Sequence, residues 1–374
     1  MHFLNIDKKL FFRLTARGLI LGLGMLLLIH FGLPGQKRNR PSEKSFAASS
    51  GLLFTSMSTS ASARLYTDEK RYDFEPAFET IRTEFRNVES LCNFFDPGSE
   101  LSKLNRTAAE KPFVCSDDLW FLLTQAREYT KKTGGAFDVS ISPLMEVWGF
   151  YRKEGRLPPE SALVSALERT GMDKVRFDEK EKSVFFTVPG MSLNLGGIAK
   201  GYALDRALAA LRKKHPEIKA GFLDLGGNVL SFGAAFRAAV RDPFSPGKIC
   251  AQIPMDGTRA VATSGAYERF VTIDGRRYGH ILDPRTGRPV ERCFSATVVA
   301  PTGLESDVLS TAFFVAGENL AGSFPGIEVL LLRPGKADPG RLDYFQQGTE
   351  WTLDLPLRVP DAKDLKKDAA PQEK

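Results

Sequence analysis

Helical and strand-like periodicities follow one another along this chain without strict alternation, and no other feature limits the fold as much. Apolar residues recur at helical spacing over residues 77–93, through Phe78, Ile81, Phe85, Val88 and Leu91. Residues 119–133 read as a second helix stopped by Gly134-Gly135, and residues 161–170 as a third stopped by Gly171. Residues 175–177 and 183–188 read as a hairpin around a charged turn, and 198–215 as a long helix entered through a glycine pair. Strand signals then accumulate at 221–225, 236–241, 248–254, 259–263, 268–273, 277–282 and 295–300, with Asp274-Gly275 as a two-residue hairpin turn. A helix over 306–316 and a strand over 327–333 complete the pattern. A doubly wound parallel sheet needs regular alternation, so the expected class is α+β or an irregular mixed α/β fold.

The chain has 374 residues, 43% hydrophobic and 26% charged, the balance of a folded globular protein rather than a disordered one. Its net charge of +6 has an address: residues 1–44 hold eight basic and two acidic side chains, leaving 43 of each in the body. The body therefore lacks the overall basic excess that nucleic-acid binding uses. Residues 18–36 are uncharged and mostly apolar; as a helix they would extend ~28 Å, against ~30 Å for a hydrocarbon core. Lys8, Lys9, Arg13 and Arg17 precede that run. Residues 1–36 thus read as one N-terminal hydrophobic helix, a signal peptide or membrane anchor, with the body on the periplasmic side of the cytoplasmic membrane. Residues 37–50 read as a linker, 51–360 as the folded body and 361–374 as a disordered tail. Cys92, Cys115, Cys250 and Cys293 form no CxxC and have no His at ligand spacing, which argues against zinc or thioredoxin-like chemistry. Buried free thiols and one or two disulfides are both compatible with that spacing.

Several glycines fall where a regular fold has no need of them. Asn194-Leu195-Gly196-Gly197-Ile198-Ala199-Lys200-Gly201 opens a helix. Glycines there let backbone N–H groups approach an anion, and the helix dipole and Lys200 favour a phosphate. The pair also reads as a plain tight turn. Neither it nor Asp224-Leu225-Gly226-Gly227-Asn228 matches a dinucleotide or P-loop fingerprint. Asp307 and Thr311 are four apart, hence on one helix face, where a carboxylate and a hydroxyl can hold Mg²⁺. The same two residues also read as an Asp acting on its own helix dipole and a Thr back-bonded to a carbonyl. His280, one of four histidines, precedes the polar turn Asp283-Pro284-Arg285-Thr286-Gly287. It is either a structural hydrogen-bond partner or a general base.

Eight ordered segments carry a resemblance: MSTSA at 57–61, FDPGSELSKLNR at 95–106, TGGAFDVSISPLMEVWGF at 133–150, LNLGGIAKGYALDRA at 193–207, DLGGN at 224–228, SGAYERF at 264–270, HILDPRTGRPV at 280–290 and SDVLSTAFFVAG at 306–317. Together they resemble the ApbE-type family, the FAD:protein FMN transferases. The resemblance implies a mixed α/β fold with an FAD cleft, FAD as substrate and Mg²⁺ as cofactor. It further implies transfer of FMN to a Thr or Ser hydroxyl of a target protein through a phosphoester, with release of AMP. The implied target is a membrane-bound redox subunit. Carried over by motif, Met57, Phe95, Ala136, Phe137, Asp138, Asn194, Lys200 and Ile281 would contact the cofactor. Asp307, Thr311 and the carbonyl of Gly197 would bind the metal, and His280 would deprotonate the acceptor hydroxyl. Phe95 stands where the family often has Tyr, and Asn194 where it usually has Asp, which keeps hydrogen-bond geometry and loses a charge. Two other classes compete: an FAD pyrophosphatase releasing FMN and AMP, and a non-catalytic flavin-binding protein.

Overall fold

The computed structural model describes residues 46–355, apart from Lys153, Pro246, Glu268, Lys336, Ala337, Pro339, Thr349 and Glu350. The expected N-terminal hydrophobic helix over 1–36 and the tail over 361–374 lie outside the described residues. Among those residues, no helix is long and apolar enough to cross a membrane.

The chain opens with a hairpin of β1 (Ala48–Ser56) and β2 (Thr59–Thr67), then α1 (Glu75–Cys92) and α2 (Glu100–Thr107). Next come β3 (Phe113–Val114), α3 (Asp117–Lys132), α4 (Ser142–Val147), α5 (Glu160–Glu168), β4 (Val175–Asp178) and β5 (Ser183–Phe186). Helix α6 (Ala199–Lys214) leads into β6 (Ile218–Leu225), β7 (Asn228–Phe232), β8 (Phe236–Arg241), β9 (Ile249–Met255) and β10 (Arg259–Gly265). A hairpin of β11 (Phe270–Ile273) and β12 (Arg276–Gly279) precedes the short pair β13 (Leu282–Asp283) and β14 (Arg288–Pro289). Last are β15 (Ser295–Ala300), α7 (Gly303–Ala316), β16 (Glu328–Pro334), β17 (Leu342–Gln347) and β18 (Thr352–Leu353).

Eight strands pair in the order β1-β2-β6-β7-β10-β15-β16-β17, each antiparallel to its neighbour. Period-two alternation then sets the layers. Ala296, Val298, Ala300, Val329 and Leu331 join the main core, where α1, α6 and α7 pack on the sheet. Their alternates Val261, Val299, Leu330 and Leu332 join a second core beneath the small sheet β18-β9-β8, with Val240, Ile253, Met255 and Trp351. A satellite cluster of Leu144, Trp148, Leu163, Ala166 and Leu282 holds α4 and α5 beside the β13–β14 turn. Helices segregated onto an antiparallel sheet are the α+β arrangement.

Several boundaries differ from the sequence expectation, three of them at β1, at His280-Ile281 and at α7. The first strand starts at Ala48, so residues 48–50 of the expected linker are paired with Tyr66, Leu65 and their neighbours. The strand expected over 277–282 splits at His280-Ile281, where the β11–β12 ladder ends and the β13 pairing begins. The helix expected from Ser306 starts at Gly303, because Thr302 Oγ1 accepts from Glu305 N–H at 3.2 Å and caps it. All four cysteines are free and buried, and burial pushes each thiol up to about 12.

Candidate active site

The site grows from the crossing of α6 and α7. Gly201 in the first turn of α6 lies against Gly303 at the start of α7. A Cβ on Gly201 would stand 2.1 Å from Gly303 O and 2.8 Å from Asp307 Cβ. So close a crossing lets each helix cap the other. Asp307 Oδ2 accepts from Gly201 N–H at 3.0 Å, one of the amides that α6 itself cannot satisfy. Asp205, on α6, accepts from Gly303 N–H at 2.7 Å and Leu304 N–H at 2.8 Å at the start of α7. Burial pushes Asp205 up to about 6 against those two amide bonds, with the nearby Asp307 and Glu305 adding to the rise. Asp307 thus lies beyond the first turn of its own helix and serves the N-terminus of its neighbour. A carboxylate 4% exposed needs such partners.

Lys200 completes this end of α6. Its Nζ lies 3.3 Å from Asp307 Oδ1 and 3.3 Å from Gly196 O. The loop before it is pinned by Asn194, whose Oδ1 accepts from Gly196 N–H at 2.8 Å and whose backbone N–H donates to Val139 O at 2.7 Å. One turn beyond Asp307, Thr311 Oγ1 is 3.3 Å from Ser264 Oγ at the end of β10, and Ser264 also meets Ser310 Oγ at 3.0 Å. Gly197 lies against the same hydroxyl: a Cβ there would stand 3.5 Å from Thr311 Oγ1 and 3.2 Å from Phe137 Cε2. Asp307, Thr311 and Gly197 therefore come together, joined by Ser264, which the sequence reading did not single out. The donor set is a single carboxylate with hydroxyl and carbonyl oxygens, which suits a hard cation that keeps substrate oxygens in its shell. Among the described residues, no three His, Cys, Asp or Glu side chains gather as a metal-holding group.

His280 lies within electrostatic reach of Lys200. Its backbone N–H donates to Arg269 O at 3.0 Å, and its Nδ1 lies 3.0 Å from the same oxygen. A carbonyl only accepts, so Nδ1 carries the proton and Nε2 the lone pair. Burial pushes the ring down to about 4; the Nδ1 bond opposes this, and the positive charges of Arg269 and Lys200 reinforce it. A neutral imidazole is the state a base needs at neutral pH. Ile281, buried next in sequence, accepts from Val290 N–H at 3.0 Å. In the following turn Arg285 forks onto Asp283 with two bonds of 2.8 Å, and its stem lies 3.6 Å from the Cβ position of Gly135. That contact joins the turn to the loop carrying Ala136, Phe137 and Asp138.

The remaining candidates split into an aromatic group and a supporting group. Phe95, 66% exposed, meets Phe94 and Tyr151 edge-on at 5.3 and 5.6 Å between ring centroids. Tyr151 OH accepts from Asn194 Nδ2 at 3.1 Å and donates to Ser142 Oγ at 2.9 Å, which ties the aromatics to the glycine loop. Tyr151 is a lone aromatic outside any motif, and only its place just after Phe150 pointed to it. Met57 and Ser58 both take positive φ, 50° and 59°, in the β1–β2 turn. Glu89 Oε2 holds that strained turn, accepting from Met57 N–H at 3.0 Å and Ser56 Oγ at 3.2 Å. Ala136 and Phe137 are buried. Asp138 turns its carboxylate inward, accepting from Ser140 N–H, Ser140 Oγ and Met172 N–H at 2.8, 2.6 and 3.1 Å. Burial pushes it up despite those bonds.

The ApbE family model matches residues 57–331. The FAD:protein FMN transferase of Treponema pallidum (strain Nichols) is 30% identical over 296 residues, 73% of this chain and 81% of that protein. The FAD:protein FMN transferase of Klebsiella pneumoniae (strain 342) is 34% identical over 237 residues, 62% of this chain and 73% of that one. The crystal structure of the ApbE protein from Thermotoga maritima superposes with a TM-score of 0.70 at 31% identity, over 79% of this chain and 96% of that one. Sequence, motif order and fold converge, and the chain belongs to the ApbE family.

Proposed function

We propose that this transferase moves FMN from FAD to a Thr or Ser hydroxyl of a target protein, with Mg²⁺ as its metal. The observation that carries this reading is the convergence of Lys200, Asp307 and Thr311 on the N-terminus of α6, beside a neutral His280. That set neutralises a diphosphate and supplies a base. The relatives named FAD:protein FMN transferases supply the substrate pair. In the step, the acceptor oxygen bonds to the FMN phosphorus and the P–O bond to AMP breaks. The hydroxyl proton passes to His280 Nε2, and AMP leaves with the bond's electron pair. Lys200 and the amides at the start of α6 meet the charge that develops on the phosphates. Asp307, Thr311 and the Gly197 carbonyl would hold Mg²⁺, which would supply positive charge to neutralise the diphosphate and so let an oxygen nucleophile approach. Phe95, with Tyr151 behind it, offers a ring edge and face to the cofactor, and Met57, Ala136, Phe137, Asn194 and Ile281 line or brace its site.

For residues 1–36 we infer a signal peptide or membrane anchor that sets the body in the periplasm, with a membrane redox subunit as acceptor. The basic-then-apolar order of residues 8–36 supports it. The test is mass spectrometry of such subunits incubated with the protein, FAD and Mg²⁺. A covalent FMN adduct on Thr or Ser with matching AMP, lost in Asp307→Ala, is the expected result. FMN and AMP with no adduct would make the protein a hydrolase, and intact FAD throughout would make it a flavin carrier.

A further inference from the structure

Three hydroxyls meet where β10 ends against α7. On β10, Ala260, Ala262 and Ser264 alternate onto the face whose cross-strand partners Ala300, Val298 and Ala296 belong to the main core. Side chains this small let α7 lie close to the strand, and Ser264 ends the row against Ser310 and Thr311. Ser264 Oγ lies 3.0 Å from Ser310 Oγ and 3.3 Å from Thr311 Oγ1, and Ser310 Oγ lies 2.9 Å from Asp307 O. Among the described residues, Thr311 Oγ1 has no other hydrogen-bond partner.

Each of these three contacts needs one proton, and each hydroxyl has one to give. The fixed end of the chain therefore sets its direction. A carbonyl only accepts, so the Ser310 proton lies on Asp307 O. Ser310 then has only lone pairs for Ser264, and Ser264 must donate to it. Ser264 in turn has only lone pairs for Thr311, and Thr311 must donate to Ser264. A helical Thr ordinarily spends its proton on the carbonyl four residues back. Here that carbonyl is Asp307 O, which accepts the Thr311 amide in the helix ladder and the Ser310 hydroxyl, so both its lone pairs are taken. Ser264 is the acceptor that remains for the Thr311 proton.

A cation is held by lone pairs and repelled by an O–H bond aimed at it. Resting on the metal assignment in the transferase reading above, we propose that Ser264 is a positioning residue. By taking the Thr311 proton, it turns the lone pairs of that hydroxyl toward the Mg²⁺ that Asp307 and the Gly197 carbonyl would share. Ser264 acts through Thr311 and is not itself a ligand. The residue that supplies the carboxylate also ends the hydroxyl chain, so Asp307 governs the aim of Thr311 through its backbone.

The test titrates Mn²⁺ alone, as a paramagnetic stand-in for Mg²⁺, into the full chain, with the free ion followed by electron paramagnetic resonance. Ser264→Ala should weaken binding about 10–100-fold, and Ser264→Thr, which keeps the acceptor, should restore it. Ser310→Ala gives the Thr311 proton a lone pair on Asp307 O and should cost less than Ser264→Ala. Thr311→Val removes the hydroxyl ligand, and in that background Ser264→Ala should cost nothing more. Ser264→Cys, nearly isosteric but a poor acceptor, repeats the test should the alanine variant melt early. Native affinity in both Ser264→Ala and Ser264→Cys overturns the role. Losses that add across Ser264→Ala and Thr311→Val overturn it in favour of Ser264 as a ligand in its own right. A larger loss in Ser310→Ala than in Ser264→Ala overturns the direction of the chain. A native protein that binds no Mn²⁺, or binding undiminished in Asp307→Ala, removes the metal assignment itself, and the role of Ser264 with it.

Discussion

Replacing Gly201 by Ala tests the helix crossing on which the site is built. Alanine is the best helix former, and in an open helix this change gains about 0.5–1 kcal/mol. At position 201 the sign should reverse. The new methyl would stand 2.1 Å from Gly303 O, so α6 and α7 must part by about 1 Å to restore ordinary contact. Overpacking of this kind costs about 1–3 kcal/mol. The separation also stretches the 3.0 Å bond from Gly201 N–H to Asp307, a bond to a charged group worth about 1.5–3 kcal/mol. Net of the helix gain, the loss is about 2–5 kcal/mol. In a domain of this size that lowers the thermal midpoint by about 3–8 °C. Gly303→Ala strikes the same crossing from the other side, with its Cβ 2.4 Å from Gly201 O. Once the helices have parted for one methyl they accommodate the other more cheaply, so the double variant should lose less than the two single losses together. Thermal melts followed by circular dichroism read all three. An unchanged or raised midpoint in Gly201→Ala, or full additivity in the double variant, would refute the reasoning.

Asp307→Asn keeps an acceptor for Gly201 N–H and removes the charge, so FMN transfer should fall about 10²–10³-fold while the melting midpoint moves little; an equal loss of both would make the residue structural only. NMR of the His280 ring in the ligand-free protein should find the proton on Nδ1 and a titration midpoint of about 4 rather than 6.5; a midpoint above 6 would sink the assignment. The sign follows: between pH 6.5 and about 4 the unfolded chain binds a proton that folded His280 refuses, so this residue's contribution to stability falls as pH is lowered through that window. Tyr151→Phe strands Asn194 Nδ2 and Ser142 Oγ, which should cost about 1–3 kcal/mol and weaken FAD binding, measured by flavin fluorescence, more than it lowers the rate at saturating FAD.

The long amphipathic elements were legible because their periodicity and their caps agree. Helices expected over 77–93, 119–133 and 198–215 lie over α1, α3 and α6 with ends displaced by a residue or two. The β1–β2 hairpin was not legible, because its turn is Met57-Ser58 rather than Asn-Gly. Positive φ at both residues is held there by Glu89, from a helix 32 residues away in sequence. Strand β7 escaped because the Gly226-Gly227 turn feeds it directly and it spans only five residues. Among the candidate site residues, motifs marked Asn194, Lys200, His280, Asp307 and Thr311. Ser264 and Tyr151 act through partners that only the tertiary fold supplies. Asp307 was read against its own helix, and the amide it serves belongs to another.

That displacement of an amide and its partner has a consequence for the order of events in a growing chain. The amide of Gly201 waits for a carboxylate 106 residues further on, and the first amides of α7 wait in turn for Asp205 behind them. A shorter nascent chain lacks the partners that hold the start of α6 in shape, and if FAD binds there as proposed, fragments that stop before residue 303 should retain none. Flavin capture would then wait until α7 has been made and docked, whichever compartment that happens in.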